Sequence, residues 1–240
     1  MKDWEKESRR IILWIKKRVI EAGATGLVLG MSGGVDSSVA AVLAQKACPD
    51  NILGLILPCH SRLQDQRDAE LVARQFSISY LIISLDTVFD SFLSLFGEIY
   101  RKPLPLPIAN CIPRLRMTVL YYYAQKMNYL VCGSSNKSEL TVGYFTKYGD
   151  GGVDLMPLAH LTKTEIWELA QAIGVPDTII QKTPSAGLWE DQTDEGEMGI
   201  TYLLIDQFIT SGMIDEPSLS RIKNMIARSE HKRHLPPRLE

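Results

Sequence analysis

A glycine- and serine-rich segment, GMSGGVDSS at residues 30–38, constrains the fold more than any other part of the sequence. It lies between a short apolar run at residues 27–29 and a run with helical spacing that begins at Val39. A turn of small residues between a buried strand and a helix directs several backbone N–H groups at one point, where the helix dipole also favours negative charge. The segment therefore predicts a phosphate-binding loop at the end of the first strand of an α/β protein.

The residue types of this loop predict how it would hold a phosphate group. Backbone N–H groups and serine hydroxyls can hold a pyrophosphate, while Asp36 can hold the Mg²⁺ that accompanies a nucleotide. The Walker pattern GxxxxGK[ST] and the dinucleotide pattern GxGxxG are both absent from the segment. A tight turn that only needs small residues is the alternative, but it does not account for the serines and the carboxylate. The predicted phosphate ligands are Gly30, Ser32, Gly33, Gly34, Ser37 and Ser38.

The rest of the chain repeats the order of a short apolar run followed by a helical pattern. The predicted strands are residues 27–29, 52–57, 80–84 and 129–132, and an amphipathic helix at residues 4–22 precedes the first of them. Because neighbouring parallel strands need a crossover connection, this order predicts a doubly wound parallel sheet with helices on both faces. We expect a single α/β domain over residues 1–240.

Two connections carry specific predictions about where helices begin. The run KPLPLPIAN at residues 102–110 is predicted to be a connection without helix, because proline lacks the N–H group that continues one. It leads to Asn110, the predicted N-cap of a helix at residues 111–127. Ser84 or Asp86 is predicted to cap the helix that starts near residue 86.

Composition argues against several classes of function. The chain has 240 residues and a net charge of −2, so it lacks the basic surface that is typical of nucleic-acid binding. No apolar run approaches the roughly eighteen residues of a membrane-spanning helix, and the charged segment MKDWEKESRR lacks the apolar core of a signal peptide. The four cysteines show no metal-ligand spacing. We expect a cytoplasmic protein with reduced cysteines and neither nucleic acid nor membrane among its partners.

Several separate motifs resemble one known family. The segment SGGVDSS is similar to the pyrophosphate loop of the N-type ATP pyrophosphatases, whose fold is Rossmann-like and is described as adenine nucleotide alpha hydrolase-like. NKSE followed by GYFTKYGDGGVD, within residues 133–154, resembles the signature of the ammonia-dependent NAD⁺ synthetases. KTPSAGLWEDQTDEGEMG at residues 182–199 and EHKRHLPP at residues 230–237 resemble further segments of that family. The resemblance covers nearly the whole chain.

This resemblance implies a reaction and its partners. In that reaction the nicotinate carboxylate of deamido-NAD⁺ attacks the α-phosphate of ATP, pyrophosphate leaves, and ammonia then displaces AMP to give NAD⁺. The implied protein is a ligase that forms a C–N bond, uses Mg²⁺, and works as a homodimer with its substrate site at the interface. A tRNA-thiolating enzyme with the same loop and a nucleotide-binding module without turnover are the alternatives.

The resemblance also implies which residues carry each role. Asp36 and Glu139 are the implied Mg²⁺ ligands, and Asp36 and Lys163 are the implied catalytic residues. Ser134, Lys163 and Ser185 join the phosphate loop as implied ATP ligands. The acidic run at residues 190–197 is a candidate lid that orders when nucleotide binds. The implied deamido-NAD⁺ ligands are Arg114, Lys147, Asp154, His231 and Lys232.

Lys163 is also singled out by its local sequence. Thr162 and Glu165 have the spacing of a capping box, which places Lys163 at the first position of a helix. A lysine at that position opposes the helix dipole, so an anion bound there would relieve the conflict. The sequence thus predicts a phosphate beside Lys163, and an exposed lysine that tolerates a small penalty is the alternative.

Overall fold

The computed structural model describes residues 2–101, 104–185 and 193–239. Residues 186–192, which include the start of the candidate lid, lie outside the described part, as do residues 102 and 103. Among the described residues, no helix combines the length and apolar character needed to cross a lipid bilayer. The elements are α1 Trp4–Glu21, β1 Gly26–Gly30, α2 Val35–Ala47, β2 Ile52–Ile56, α3 Leu63–Gln75, β3 Tyr80–Ile82, α4 Asp86–Ser94, α5 Leu106–Ala109, α6 Cys111–Met127, β4 Tyr129–Val131, α7 Lys137–Val142, α8 Lys163–Ile173, α9 Asp177–Ile180, α10 Asp194–Met198, α11 Tyr202–Ser211 and α12 Ser218–Ser229, followed by a 3₁₀ turn at Glu230–Lys232.

The four strands form one parallel sheet in the order β3-β2-β1-β4. Leu27 of β1 pairs with Ile52 on one side and with Leu130 on the other, so β1 lies in the middle. This order confirms the predicted parallel sheet. The chain reverses its direction of winding between β1 and β4, and the crevice at such a reversal is where doubly wound sheets bind ligands.

Successive side chains of β1 point to opposite faces of the sheet, and helices pack against both faces. Leu27 and Leu29 pack into a core with the apolar faces of α1, α2, α3 and α8. Val28 points the other way, into a core with α4 and α6. All three side chains are buried, so the prediction of a doubly wound fold with helices on both faces is confirmed.

A third, smaller core involves α7, α10, α11 and α12. Val142, Met198, Tyr202, Ile205 and Ile222 are buried in it. Tyr202 and Ile205 lie on α11, a helix that the sequence patterns did not predict. This core places α11 against α7 and α8, and that contact shapes the site described below.

The predicted connection at residues 102–110 is wrong in one respect, because it contains the short helix α5. Asn110 continues directly from α5 with helical backbone angles, φ −70° and ψ −9°, and makes no capping hydrogen bond. An N-cap needs an extended backbone, so the prediction that Asn110 caps α6 is also wrong. Its side chain instead accepts a hydrogen bond from Thr146 Oγ1 at 2.8 Å. At α4 the N-cap residue is Leu85, which has no capping side-chain hydrogen bond, so the prediction that Ser84 or Asp86 caps this helix is wrong. Ser84 Oγ accepts only from the N–H of Asp86, the first helical residue, at 3.3 Å.

Candidate active site

The glycine-rich loop joins β1 to α2 at the carboxyl edge of the sheet. Gly33 has φ +76°, and a Cβ atom built on it would lie 2.3 Å from the carbonyl oxygen of Asp65. Glycine is therefore required at this position both for its left-handed backbone and for the close approach of α3. Gly34 follows as the N-cap of α2.

The serine hydroxyls of the loop bind mainly to the loop itself. Ser32 Oγ and Ser37 Oγ lie 2.9 Å apart. Ser37 and Ser38 donate to the carbonyl oxygen of Gly34 at 3.0 and 2.8 Å. Both are buried, whereas Ser32 is exposed. The structure gives Ser37 and Ser38 a role in holding the loop, and their role as ATP ligands stays a prediction.

Asp36, in the first turn of α2, has a different partner on each carboxylate oxygen. Its Oδ1 accepts from Asn136 Nδ2 at 2.8 Å, and its Oδ2 forms a short salt bridge with Lys163 Nζ. Asn136 is completely buried and follows the strand β4. The loop after β1 is thus tied to the segment after β4, across the crevice between the two strands.

Glu139 lies on the other side of the Lys163 ammonium, with Oε1 at 3.5 Å from Nζ. Asn136 and Glu139 form a capping box that fixes the start of α7. The hydroxyl of Tyr202 lies 3.2 Å from Glu139 Oε1 and donates to Asp194 Oδ2 at 2.9 Å. Asp36 and Glu139 therefore meet at one cation, although they are far apart in the sequence.

This geometry suits the implied Mg²⁺, which commonly takes one or two protein carboxylates and completes its shell with phosphate and water. The carboxylates of Asp36 and Glu139 already share a single positive charge, that of Lys163. In the described parts of the chain, no group of three or more His, Cys, Asp and Glu side chains is arranged to hold a metal ion. A cation held by these two carboxylates would therefore depend on phosphate oxygens for further ligands.

Burial and charge set the protonation of this cluster. Burial by itself lowers the pKa of Lys163, but the charges of Asp36 and Glu139 outweigh it and raise that pKa above its ordinary value. Burial and the charge of Asp36 raise the pKa of Glu139, and the nearby ammonium of Lys163 opposes this by favouring the carboxylate form. Burial also raises the pKa of Asp194 and of Tyr202. Lys163 is thus held as a cation and Tyr202 as a neutral donor.

The start of α8 confirms the predicted capping box of Thr162 and Glu165. However, an internal anion is already present there. Asp206 of α11 accepts from the Thr164 N–H at 2.8 Å, and Ser138 Oγ accepts from the Lys163 N–H at 2.9 Å. Asp206 thus supplies negative charge at this helix end, and the predicted phosphate beside Lys163 stays a prediction. The alternative of an exposed lysine is wrong, because Lys163 is buried.

The remaining implied ATP ligands lie at the edges of this site. Ser134 is partly buried in the segment after β4, and Ser185 is exposed at the end of the described segment that follows α9. Lys182, three residues before Ser185, contacts the phosphate loop directly. Its Nζ lies 3.3 Å from the carbonyl oxygen of Gly33 and forms salt bridges of 2.7 and 2.6 Å with Asp65 and Asp68.

Most of the implied deamido-NAD⁺ ligands meet in a second region. Arg114 Nε donates to the carbonyl oxygen of Lys147 at 3.3 Å, and Lys147 Nζ donates to that of His231 at 2.6 Å. Lys232 Nζ donates to the carbonyl oxygens of residues 143 and 145, both at 2.8 Å. Asp154 has different partners: it accepts hydrogen bonds from the Tyr121 hydroxyl at 3.0 Å and from the Val131 N–H at 2.8 Å.

A groove of about 560 Å³ opens beside Arg114, between α6 and the segment that precedes Asp154. Tyr121 and Tyr148 line it together with Gly152. Hydrogen bonds thus link three of the five implied residues, Arg114, Lys147 and His231, and an open, partly aromatic groove lies beside Arg114. Their role in binding deamido-NAD⁺ stays a prediction.

Sequence reasoning missed several residues that hold this site together. Asn136 could have been found, because Asn136 and Glu139 have capping-box spacing. Lys182 stood out only as the first residue of a longer motif. Tyr202 and Asp206 had no local signal, because each acts through contacts that α11 makes with distant elements.

Taken together, these features define a nucleotide-binding α/β protein whose phosphate loop, carboxylates and buried lysine meet at the carboxyl edge of a parallel sheet. Comparison with known proteins makes this more specific. A family model described as NAD synthase matches residues 7–236. The chain belongs to the NAD synthase family.

Individual relatives cover almost the whole chain. An NH(3)-dependent NAD(+) synthetase of Carboxydothermus hydrogenoformans is 47% identical over 98% of this chain and 97% of its own. One of Syntrophomonas wolfei is 51% identical over 93% of this chain and 91% of its own.

Solved structures show the same fold. The structure of an NMN synthetase from Francisella tularensis superposes with a TM-score of 0.94 at 38% identity, covering 100% of this chain and 99% of the other. An NH3-dependent NAD synthetase from Campylobacter jejuni superposes with a TM-score of 0.84 at 28% identity, covering 100% of both chains.

Proposed function

We propose that this ligase of the NAD synthase family converts deamido-NAD⁺, ATP and ammonia into NAD⁺, AMP and pyrophosphate. The observation that carries the proposal is the similarity, at 47 and 51% identity over more than nine-tenths of the chain, to proteins named NH(3)-dependent NAD(+) synthetase. The convergence of Asp36, Glu139 and Lys163 beside the phosphate loop supports it.

The reaction has two bond-forming steps. A carboxylate oxygen of the nicotinate attacks the α-phosphorus of ATP, and the bond from that phosphorus to pyrophosphate breaks. The nitrogen of ammonia then attacks the acyl carbon, and AMP leaves with the electron pair of the C–O bond. In both steps an anionic leaving group must be stabilised, and positioned cations and N–H groups do this most effectively.

The residues of the site divide this work between them. The backbone N–H groups of the phosphate loop hold the departing pyrophosphate. Asp36 and Glu139 hold Mg²⁺, which when bound neutralises phosphate charge. Lys163 supplies a positive charge that its burial protects from solvent screening. Arg114, which lines the open groove, binds deamido-NAD⁺ together with Lys147, Asp154, His231 and Lys232.

A second candidate substrate is the mononucleotide. The superposition on the protein described as NMN synthetase has a TM-score of 0.94, against 0.84 for the NAD synthetase from Campylobacter jejuni. NMN would arise by the same conversion of a nicotinate carboxylate to an amide, in a substrate without the adenosine half. Both substrates would present the same reacting group to Asp36 and Lys163.

One assay tests the reaction and separates these candidates. The protein is incubated with ATP, Mg²⁺ and ammonium, and with either deamido-NAD⁺ or nicotinate mononucleotide, and NAD⁺, NMN and pyrophosphate are measured. We expect NAD⁺ and pyrophosphate in equal amounts, with kcat/KM for deamido-NAD⁺ at least tenfold above that for the mononucleotide. A preference for the mononucleotide would reassign the substrate.

The same assay addresses the other functional classes. Pyrophosphate formed without either amide product would indicate a different acceptor, as in a tRNA-thiolating enzyme. Neither product, with ATP still bound, would indicate a nucleotide-binding module. The presence of Lys163 and two carboxylates at one point argues against such a module, because binding alone does not need them.

The proposal includes a homodimer in the cytoplasm. Large apolar side chains that are more than half exposed are concentrated between residues 88 and 106, and patches of this kind are typical of protein interfaces. All four cysteines are free thiols, which is typical of a reducing compartment. Light scattering at micromolar concentration tests the dimer, and a monomeric mass would contradict it.

A further inference from the structure

The ammonium group of Lys163 occupies the point at which the carboxylates of Asp36 and Glu139 meet. It forms a short salt bridge with Asp36 Oδ2 and lies 3.5 Å from Glu139 Oε1. It also lies 4.7 Å from the centroid of the Tyr202 ring, and the lysine side chain is only 2% exposed. The two carboxylates therefore already share a cation that belongs to the chain.

A second cation cannot join this arrangement without a penalty. Two positive charges close together in a buried site repel strongly, because little water is present to screen them. The ammonium of Lys163 also cannot leave alone, because a buried charge without a partner is strongly unfavourable. It can leave only if another anion is available within its reach.

We propose that Lys163 is the resident counter-ion of these two carboxylates, and that it moves to the phosphates of ATP when a divalent cation replaces it. The inference rests on the proposed function, because it takes Asp36 and Glu139 as Mg²⁺ ligands and Lys163 as an ATP ligand. The exchange leaves every charge paired. It makes the binding of Mg²⁺ and of ATP mutually dependent, since each favours the state that the other needs.

Hydrogen bonds hold the backbone of Lys163 and of the residue after it in place. The Lys163 N–H is held by Ser138 Oγ at 2.9 Å, and the next N–H, that of Thr164, is held by Asp206 Oδ2 at 2.8 Å. A lysine ammonium is a compact charge on a flexible stem of four methylene groups. The proposed exchange is therefore a movement of the side chain with the start of α8 held in place.

Titration with Mg²⁺ in the absence of nucleotide tests whether Lys163 acts as the counter-ion of the two carboxylates. Isothermal calorimetry should show weak binding to the wild type. Lys163→Met and Lys163→Gln should each bind Mg²⁺ at least about tenfold more tightly, or about 1.4 kcal/mol, because neither places a cation between the carboxylates. Lys163→Arg keeps the charge and should bind as weakly as the wild type.

Lys137→Met is the matched control. Lys137 is exposed and lies two residues before Glu139, so its replacement removes a nearby charge without opening the site. Its Mg²⁺ affinity should equal that of the wild type. Equal affinity in wild type, Lys163→Met and Lys163→Gln would overturn the proposal.

A second comparison does not depend on whether the Lys163 variants fold. Wild type and Asp36→Asn should bind Mg²⁺ alone equally weakly, since Lys163 occupies the Asp36 carboxylate of the wild type when nucleotide is absent. With a non-hydrolysable ATP analogue present, the wild type should bind Mg²⁺ at least about tenfold more tightly than Asp36→Asn. Tight binding of Mg²⁺ alone by the wild type, or no gain with the analogue, would contradict the exchange.

The two proposals fail in different ways. If neither amide is formed in the activity assay, but Mg²⁺ binding follows the expected pattern, the reaction is misassigned and the counter-ion role stands. If NAD⁺ is formed while Lys163→Met and Lys163→Gln gain no affinity for Mg²⁺, the reaction stands and the counter-ion role is wrong.

Discussion

Asp36 is the residue on which the two sides of the crevice meet. Its carboxylate accepts from Asn136 after β4 and from Lys163 at the start of α8, so it ties the phosphate loop to both segments. The sequence of the loop alone predicted that the Asp36 carboxylate holds Mg²⁺. The salt bridge between Asp36 and Lys163 could not be predicted in this way, because it depends on how α8 packs against α2.

Asp36→Asn should abolish most turnover while the protein stays folded. The amide retains a hydrogen-bonding side chain for Asn136 but removes the charge that holds Lys163 and the proposed metal. We expect kcat for NAD⁺ formation to fall at least about a hundredfold, the scale on which charge-stabilising groups act. Asp50→Asn, an exposed aspartate after α2, is the control and should leave kcat unchanged. Turnover of Asp36→Asn near that of the control would remove Asp36 from the chemistry.

Lys182 positions the phosphate loop from outside. It joins the carbonyl of Gly33 to the carboxylates of Asp65 and Asp68, and these two carboxylates raise its pKa despite partial burial. Lys182→Met should therefore raise KM for ATP about tenfold, or about 1.4 kcal/mol, with a smaller change in kcat. Lys182→Arg should restore part of the loss. Steady-state kinetics with varied ATP measures this, and an unchanged KM would show that the loop holds its shape without Lys182.

At the scale of helices and strands, local patterns predicted most of the elements. The apolar periodicity of α1 and the four short apolar runs were sufficient to locate these elements. α1, β1 and β2 bury the apolar face that their own sequence marks, whereas Leu81 and Ile82 of the edge strand β3 stay exposed. Asn110 failed as an N-cap because α5 precedes it and keeps its backbone helical. A single residue type predicts a cap only where the chain before it is extended, and that depends on the preceding residues.

The sequence patterns did not predict the helix α11, although the site depends on it. It presents Tyr202 to Glu139 and Asp194, and one turn later Asp206 to Ser138 and Thr164. Residues four apart share a helix face, so α11 holds both the side chains of the site and the backbone of α8. No local pattern marks these contacts, since they arise only when α7, α8 and α11 pack together.

Asp206→Asn tests this role of α11. Ser138 Oγ and the Thr164 N–H donate to different oxygens of the Asp206 carboxylate. An amide replaces one of these oxygens with an NH₂ donor, so one of the two groups loses its acceptor. We expect the free energy of unfolding to fall by about 1–3 kcal/mol, and kcat to fall as well because Lys163 begins the helix that loses its anchor. Thermal unfolding and NAD⁺ formation are measured together, with the exposed Asp215→Asn as control. A stability loss without any change in kcat would limit Asp206 to a structural role.

The contact between α1 and the segment before α8 should depend on pH. Hydrogen bonding from Arg10 lowers the pKa of Glu7 from 4.5 to about 2 against the opposing effect of burial, and His160 Nε2 lies 2.6 Å from Glu7 Oε1. A carboxyl whose pKa is lower in the folded state stabilises the fold fully above pH 4.5, and this stabilisation is lost as the pH falls toward 2. Glu7→Gln should therefore lower the free energy of unfolding at pH 7 by about 1 kcal/mol. Denaturant unfolding of both proteins across this range should show the difference shrinking with acid, and a constant difference would contradict it.

In the whole molecule, the site exists because four helices begin at it. Asp36, Glu139, Lys163 and Tyr202 come from α2, α7, α8 and α11, and family resemblance identified the first three without indicating how they touch. Their mutual distances depend on the core that contains α2 and α8 and on the smaller core that contains α7 and α11. The resemblance could assign roles to residues, but the salt bridge that places Lys163 between the two carboxylates needed the folded structure.

The proposed homodimer makes a prediction about the molecular surface. Phe96 and Leu13 are each 67% exposed, the first just after α4 and the second on α1. Leu95, Ile99 and Leu106 are also well exposed near Phe96 along the chain, so this region has the larger concentration of uncovered apolar side chains. An interface there would bury them, and a charge placed among them would be strongly unfavourable.

Phe96→Glu should therefore convert the dimer to a monomer and lower kcat/KM for deamido-NAD⁺, because the proposed substrate site lies at the interface. Leu13→Glu is the matched control, because Leu13 is as exposed as Phe96, and this variant should remain dimeric and active. Light scattering at micromolar concentration and NAD⁺ formation measure the two effects on the same samples. Dissociation by Leu13→Glu alone would move the interface to α1, whereas a Phe96→Glu monomer with full activity would show that each subunit holds a complete substrate site.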